Sequence, residues 1–399
     1  MTRVVSLFLP TWSTDQLRRK AGDAAPPAEA PLVLIGREGN RRVVLAADGA
    51  ARAAGLRIGM PVTKAQILVP DVIIHDADPV ADRQALERLA LWHLRFAPIV
   101  AADPPDGIVI DSTGADHLHG GEVAMLDGLL GRLAMSGITA RAAIADSWGA
   151  AHALARFAAR AVCIAPDGHG ASAIETLPLM ALRIAPALAA SLRALGFETV
   201  GDLLIQPRAP LTLRFGPELG RRLDHALGIA AEPIEPVRSP DLIEVRRAFA
   251  EPIATAETIA RYIGKLIIQL CARLEERGLG ARQIDLICHR VDNRAQAVRV
   301  STAAPVRDIK RLTRLLCDKI ETIDGRQVFI EFPRGIGQGE MPPLFVVGPE
   351  GKTSELVNYR VRANYMIVDR LFAAAELRFG AGDRQKRVRI VRTDGRPMS

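Results

Sequence analysis

Aromatic residues are scarce in this chain. Phe, Trp and Tyr contribute 11, 3 and 3 of 399 residues, 4% in all. So few rings argue against a surface built as an aromatic stacking platform. No run of about 18 uncharged apolar residues occurs, so no membrane-spanning helix is expected. The opening MTRVVSLFLPTWSTD has one basic residue, a short apolar run and no small-residue cleavage site. It does not read as a signal peptide, and the cytoplasm is the expected compartment. Cysteine is sparse too. Cys163, Cys271, Cys288 and Cys317 have neither zinc-ligand nor CxxC spacing, so free buried thiols are expected.

What is present is a globular composition, 49% hydrophobic and 24% charged, which excludes a mainly disordered chain. The length calls for two to four domains. The net charge of +7 is unevenly spread. Residues 1–240 hold 24 Lys/Arg and 25 Asp/Glu, a net of −1. Residues 241–399 hold the other 28 and 20, a net of +8. A basic excess confined to the C-terminal two-fifths points to a polyanion there, nucleic acid first, held through its phosphates rather than by stacking. A merely solvated basic surface is the plainer alternative.

Periodicity divides the chain. Residues 3–9 read as a buried strand stopped by Pro10. Leu32–Gly36 and Arg42–Ala46 are further strands, and Gly49–Gly55 and Thr63–Leu68 short helices. Residues 81–96 form an amphipathic helix, and Ile99–Ala102 with Gly107–Asp111 a strand pair around Pro104, Pro105 and Asp106. Helix 121–135, strand 138–145 and helix 147–160 complete an α/β layer. Residues 174–229 read as short helices with tight turns, and 230–242, with three prolines, as a linker. Beyond it, 244–250, 253–277, 283–290, 296–302, 306–322 and 327–332 give the order β-α-β-β-α-β. The tail, 337–399, has mixed signals. Asp116-His117-Leu118-His119 could suggest metal ligands, but two His two apart on a glycine-ended loop are more often surface residues, no third ligand is placed nearby, and no metal is assigned.

Several strings, each weak alone, gain weight from their order. They are Ala50 to Met60 (AARAAGLRIGM), Ile110-Asp111-Ser112-Thr113-Gly114 with Gly120-Gly121-Glu122, and Leu195-Gly196-Phe197 with Val200-Gly201-Asp202-Leu203-Leu204. Arg214-Phe215-Gly216, Arg222-Leu223-Asp224 and Ala226-Leu227-Gly228 follow. Over residues 3–335 this series resembles the Y-family, UmuC/DinB-type, translesion DNA polymerases. It is most similar to a catalytically degenerate branch belonging to a bacterial mutagenesis complex. The resemblance implies an α/β (α+β), multidomain right-hand architecture. Its parts are a palm (1–10 and 78–165), fingers (11–77), a helical thumb (166–229), a linker (230–242), a β-α-β-β-α-β little finger (243–336) and a C-terminal tail (337–399).

It also implies where the chemistry would sit. Family members hold two Mg²⁺ with a first-strand Asp-x-Asp and a Ser-x-Asp-Glu hairpin, because a hard cation wants anionic oxygens. Here the first-strand positions match Leu7 and Leu9, and the hairpin positions match Asp106 and Gly107. One carboxylate of the set remains, so no catalytic residue, cofactor or metal is expected. Mg²⁺ would enter only if Asp15, Asp48 or Asp103 rebuilt the site in an active polymerase. Nucleotide-pocket remnants match Trp12 at the steric gate, Gly49 where a Tyr is usual, and Arg52. The thumb turn Leu182–Pro186 lacks the usual glycines, leaving Arg183 as a potential phosphate contact. Arg246, Arg247, Arg290, Arg294, Arg299, Lys310, Arg311 and Arg314 are the little-finger candidates for DNA contacts.

A segment with Met341, Leu344 and Phe345 stands where relatives carry a peptide for the β sliding clamp, though an ordinary strand entry fits it equally. The implied partners are DNA, the clamp, an error-prone replicative-type polymerase and a RecA-like accessory protein, with no membrane. Two other readings stay open: an active translesion polymerase with a rearranged metal site, and a nucleic-acid binder that shares only the β-α-β-β-α-β module.

Overall fold

The computed structural model describes residues 2–239, 242–250, 252–253, 256–290 and 295–319, and the backbone of seven strands between 328 and 391. The chain forms two compact units, Met1–Pro240 with Cys288–Ala295, and Asp241–Ile287 with Gln296–Ser399.

The first unit begins with β1 (Val4–Phe8) and α1 (Trp12–Ala21), turned apart at Pro10. A three-stranded sheet follows, from β2 (Leu32–Glu38), β3 (Arg41–Ala47) and, after α2 (Gly49–Ala53) and α3 (Val62–Leu68), β4 (Ile73–Asp76). Val33, Ile35, Val44, Ala51, Leu56 and Ala65 form the core between this sheet and its helices. Then come α4 (Pro79–His93), β5 (Ile99–Asp103), β6 (Gly107–Asp111), α5 (Glu122–Met135), β7 (Arg141–Ala145), α6 (Trp148–Phe157) and β8 (Val162–Ile164). They complete a five-stranded sheet in the order β5-β6-β1-β7-β8. Strand β1 lies at its centre, antiparallel to both neighbours, with Leu7 opposite Ile108 and Ala142, and Phe8 opposite Gly107.

Alternation along β1 sends side chains to two faces. Val5, Leu7 and Leu9 pack with α4 and α5 through Leu86, Leu126 and Leu129. Phe8 packs on the alanine-rich side of α6. Short helices continue that second core: α7 (Gly170–Ala173), a 3₁₀ turn at Leu179–Leu182, α8 (Pro186–Arg193), α9 (Val200–Leu204), α10 (Arg208–Phe215) and α11 (Pro217–Ala226). Thr199 caps α9 in a capping box with Asp202. The proline-rich stretch after α11 is irregular, as expected, but docked. Val237 N–H donates to the Val100 carbonyl at 2.7 Å, and Glu232 pairs with Arg183.

In the second unit, α12 (Ala256–Glu276) packs on α13 (Ile309–Cys317) through Ile263, Ile267, Leu312 and Leu316. Strands β9 (Ala281–His289) and β10 (Ala295–Val306) pair with each other. Two expectations need correction. Residues 244–250 form no strand, so the β-α-β-β-α-β order lacks its first member among the described residues. The strand at 327–332, seen as β11 (Val328–Glu331), pairs with a tail strand rather than closing on β9 or β10. Among the described residues the tail supplies six strands: β12 (Leu344–Val347), β13 (Ser354–Val357), β14 (Tyr359–Arg362), β15 (Tyr365–Val368), β16 (Ala374–Phe379) and β17 (Lys386–Val391). Their sheets run β11-β15-β14 and β13-β12-β16-β17.

Helix α6 meets α11 at Gly149, where an added Cβ would lie 2.7 Å from Ala226 Cα and 2.8 Å from its nitrogen. Backbone cannot yield as a flexible side chain can. Gly149→Ala should therefore cost about 1–3 kcal/mol by overpacking, read as a lower urea midpoint at unchanged m-value. His93 is buried beside Phe96, and its Nδ1 donates to the Leu89 carbonyl at 2.7 Å. Burial holds its pKa down to about 4 against 6.5. The unfolded chain thus takes up a proton below pH 6.5 that the folded chain refuses until about pH 4. Stability should fall through that window by up to about 3 kcal/mol. The wild-type unfolding free energy should show this extra slope relative to His93→Phe.

Candidate polymerase-type site in the first unit

The hairpin joining β5 and β6 carries Asp103, Pro104, Pro105 and Asp106 beside the end of β1, where Leu9 N–H donates to the Asp106 carbonyl at 2.8 Å. This is the ground on which the family resemblance places a two-metal centre. Leu7 and Leu9 are fully buried in the apolar cluster shared with Leu86, Ile108 and Leu126. A carboxylate at position 7 would enter a dry core, where an unpaired charge costs several kcal/mol or is neutralised by protonation.

The other face is filled by a cation. Arg156, on the last turn of α6, donates from Nη2 to Asp106 Oδ1 at 2.9 Å and lies 3.5 Å from Asp103 Oδ2. Its guanidinium sits 4.8 Å from the centroid of the Phe8 ring, the residue between the two leucines. The Arg156 side chain is only 13% exposed. Burial pushes the Asp103 carboxyl up, and the guanidinium of Arg156 draws it back. His152, one turn earlier on α6, lies 3.7 Å from Asp103, but burial and then Arg156, Arg183 and Arg222 hold its pKa down to about 2. It is therefore neutral at physiological pH, and Arg156 supplies the positive charge that faces the two aspartates.

Glycine at 107 belongs to the same arrangement. A Cβ there would lie 2.8 Å from Arg156 Nη2, 3.0 Å from the Asp103 carbonyl and 3.0 Å from Asp103 Oδ2. The guanidinium thus occupies the space from which a glutamate side chain would start. The other nearby acids are committed elsewhere. Asp15 is buried and accepts from Thr11 Oγ1 and Thr139 N–H, both at 2.9 Å, and burial raises its pKa. Asp48 caps α2 by accepting from Ala51 N–H at 2.7 Å and pairs with Arg18 at 2.7 Å. Among the described residues no group of three His, Cys, Asp or Glu could hold a metal ion. These residues do not fit the Mg²⁺ pair that the family implies.

A cleft of about 590 Å³ opens beside the hairpin, lined mainly by apolar residues such as Phe8, Leu9, Trp12, Leu45, Leu56 and Ile58. Two of the three nucleotide-pocket remnants, Trp12 and Arg52, line this cleft, and both are engaged by backbone carbonyls. Arg52 donates to the Ala47 carbonyl at 2.9 Å and to the Pro10 carbonyl. Trp12 is buried, its indole N–H bound to the Asp82 carbonyl at 3.0 Å. At Gly49, a Cβ would meet nothing within 4 Å, so the space for a side chain is open. Arg183, offered from sequence as a phosphate contact, has its guanidinium on Glu232 and 5.1 Å from the Trp148 ring centroid. Its backbone is left-handed at φ 57, where glycine is usual.

In the second unit, Lys310, Arg311 and Arg314 share the exposed face of α13, opposite Leu312 and Leu316. Arg246 and Arg247 are exposed on the segment leading to α12. Arg290, which directly follows β9, is grouped with the first unit rather than the second. Arg299 is withdrawn: its side chain is 8% exposed and makes a two-pronged pair with Asp285 at 2.7 and 2.8 Å. Arg294 and Met341 lie outside the described residues. Leu344 and Phe345 are in β12, paired on one side with β13 and on the other with β16. Sequence reasoning missed Arg156, which reads as one more cation on a helix.

Residues 25–156 match the family model described as the impB/mucB/samB family, and 242–338 match the C-terminal domain of that family. Residues 323–393 match a model described as CagX, a conjugal transfer protein. Protein ImuB of Caulobacter vibrioides (strain NA1000 / CB15N) is 48% identical over 270 residues, 68% of this chain and 59% of that protein. The matched part thus spans under two thirds of that relative's length. DNA polymerase IV of Halorhodospira halophila is 30% identical over 287 residues, 69% of this chain and 78% of that protein. A solved post-insertion binary complex of Dbh DNA polymerase superposes with a TM-score of 0.50 at 17% identity, covering 81% of this chain and 95% of that one. That likeness is one of fold.

The close approach at position 107 gives a direct check. Gly107→Glu should destabilise the first unit by about 1–3 kcal/mol in equilibrium unfolding. Adding Arg156→Ala should recover part of that loss, a coupling that a double-mutant cycle reads. Equal losses with and without Arg156 would contradict the geometry. The polymerase IV relative and the family models decide the lineage: the chain belongs to the impB/mucB/samB family, as an ImuB-like homologue of the Y-family DNA polymerases.

Proposed function

We propose that this chain is a non-catalytic DNA-binding adaptor of a bacterial DNA-damage-induced mutagenesis complex. In this reading it holds DNA and brings an error-prone replicative-type polymerase to it. The observation that carries the reading is Arg156 on Asp106 and Asp103, with Leu7 and Leu9 sealed into the core behind it. Phosphoryl transfer in this family relies on two cations that polarise the phosphate and stabilise the leaving group. A fixed guanidinium already pairs with Asp106 and faces Asp103, so the site offers a divalent ion too few free anionic ligands.

The name of the ImuB relative supports the branch, and the polymerase IV relative supports DNA as the partner. The basic excess of residues 241–399 supports placing much of the DNA contact there. The β sliding clamp and a RecA-like accessory protein are carried as partners of the same complex. A clamp contact through Leu344 and Phe345 would require β12 to leave a sheet in which both its edges are paired. A clamp pull-down with Leu344→Ala plus Phe345→Ala tests that contact.

Purified protein should show no primer extension with Mg²⁺ or Mn²⁺. Calorimetry should show no magnesium-dependent nucleotide affinity. Metal-dependent extension abolished by Asp106→Ala would overturn the reading in favour of an active polymerase with a rearranged metal site.

A further inference from the structure

Tyr262 on α12 is the meeting point of three cations. The charged ends of Arg247, Arg261 and Lys265 lie 5.9, 5.3 and 5.1 Å from its ring centroid. Phe249 packs edge-on against the same ring at 4.7 Å. Arg247, Arg261 and Lys265 are all exposed. Among the described residues none of the three is ion-paired with a carboxylate, whereas Arg299 and Arg273 of the same unit are bound to protein oxygens. Each cation gains from the ring, but three like charges around one ring repel one another. An anion placed among them would relieve that repulsion.

The surface has room for one. A pocket of about 50 Å³ opens here, lined by Arg247, Tyr262, Lys265, Leu266 and Gln269. That is the scale of a single tetrahedral oxyanion rather than of a nucleobase. Its rim offers guanidinium, ammonium and amide donors, the set that phosphate recognition uses. The ring itself is engaged by Phe249 and the cations, which disfavours base stacking. We infer that the Arg247–Tyr262–Lys265–Gln269 pocket is a phosphate-binding site that takes one backbone phosphate of a nucleic acid. The inference rests on the reading that this chain binds DNA and adds a place on α12 that the sequence reading did not single out.

The test is fluorescence anisotropy of the full chain with labelled single-stranded and duplex DNA over a range of salt. Lys265 is exposed, so Lys265→Gln leaves the core untouched, and Lys265→Arg keeps the charge. Arg247→Gln with Lys265→Gln should weaken binding roughly tenfold and flatten the salt dependence by about 1 to 2 in slope. Lys265→Gln should give a smaller loss of the same kind, and Lys265→Arg should bind like wild type. Unchanged affinity and slope in the double variant, with wild type binding DNA, would overturn the pocket while leaving DNA binding in place. Wild type that binds no DNA would overturn the parent reading and this inference together. Inorganic phosphate that stabilises wild type but not the double variant, with DNA affinity unchanged, would assign the pocket to a free oxyanion and overturn the nucleic-acid assignment.

Discussion

The guanidinium of Arg156 is the contact on which the first unit's functional ground depends. It lies between Asp103 and Asp106 and over Phe8, so one side chain ties α6, the β5–β6 hairpin and β1 together. Taking a guanidinium this far out of water is costly unless carboxylates meet it, and two carboxylates held close are costly unless a cation meets them. Each component here answers the other's penalty. Here the charge is covalently part of the protein.

On the proposed reading, the two faces of β1 make the departure from the family's metal site deeper than a few substitutions. Leu7 and Leu9 extend the apolar core under α4 and α5, and Gly107 leaves the room that Arg156 uses. Restoring a carboxylate at position 7 would bury it, and restoring one at 107 would meet the guanidinium. Neither change alone rebuilds a site, because the space has been reassigned to packing on one face and to an ion pair on the other. A cleft survives beside the hairpin, but Arg52 is bound to carbonyls and Asp106 to Arg156. On the proposed reading, the basic excess of residues 241–399 places much of the polyanion contact in the second unit.

Much of this was legible in the sequence. The strand at 3–9, the hairpin around Asp106 and the short helices after residue 174 announce themselves through apolar runs, prolines and cap glycines. Leucines at 7 and 9 can be read directly once the family series is recognised. Arg156 could not be read, because it lies 50 residues from Asp106 and periodicity places it merely on a helix. Nor could the withdrawal of Arg299, since its partner Asp285 is set by the register of β9 and β10. The strand expected at 244–250 did not form, because a basic, half-apolar stretch satisfies strand alternation without a ladder to join. Apart from the strand entry offered at Leu344, the tail strands escaped for the opposite reason: pairing across the tail, as between β16 and β17, decides them more than local pattern does.

On the proposed reading a protein cation, not a metal ion, completes this site. Electron paramagnetic resonance of Mn²⁺ titrated into the wild-type chain tests it most directly. No bound equivalent should be assignable to the hairpin, and the Mn²⁺ signal should be unchanged by Asp106→Ala. One equivalent bound by wild type and lost in Asp106→Ala would contradict it.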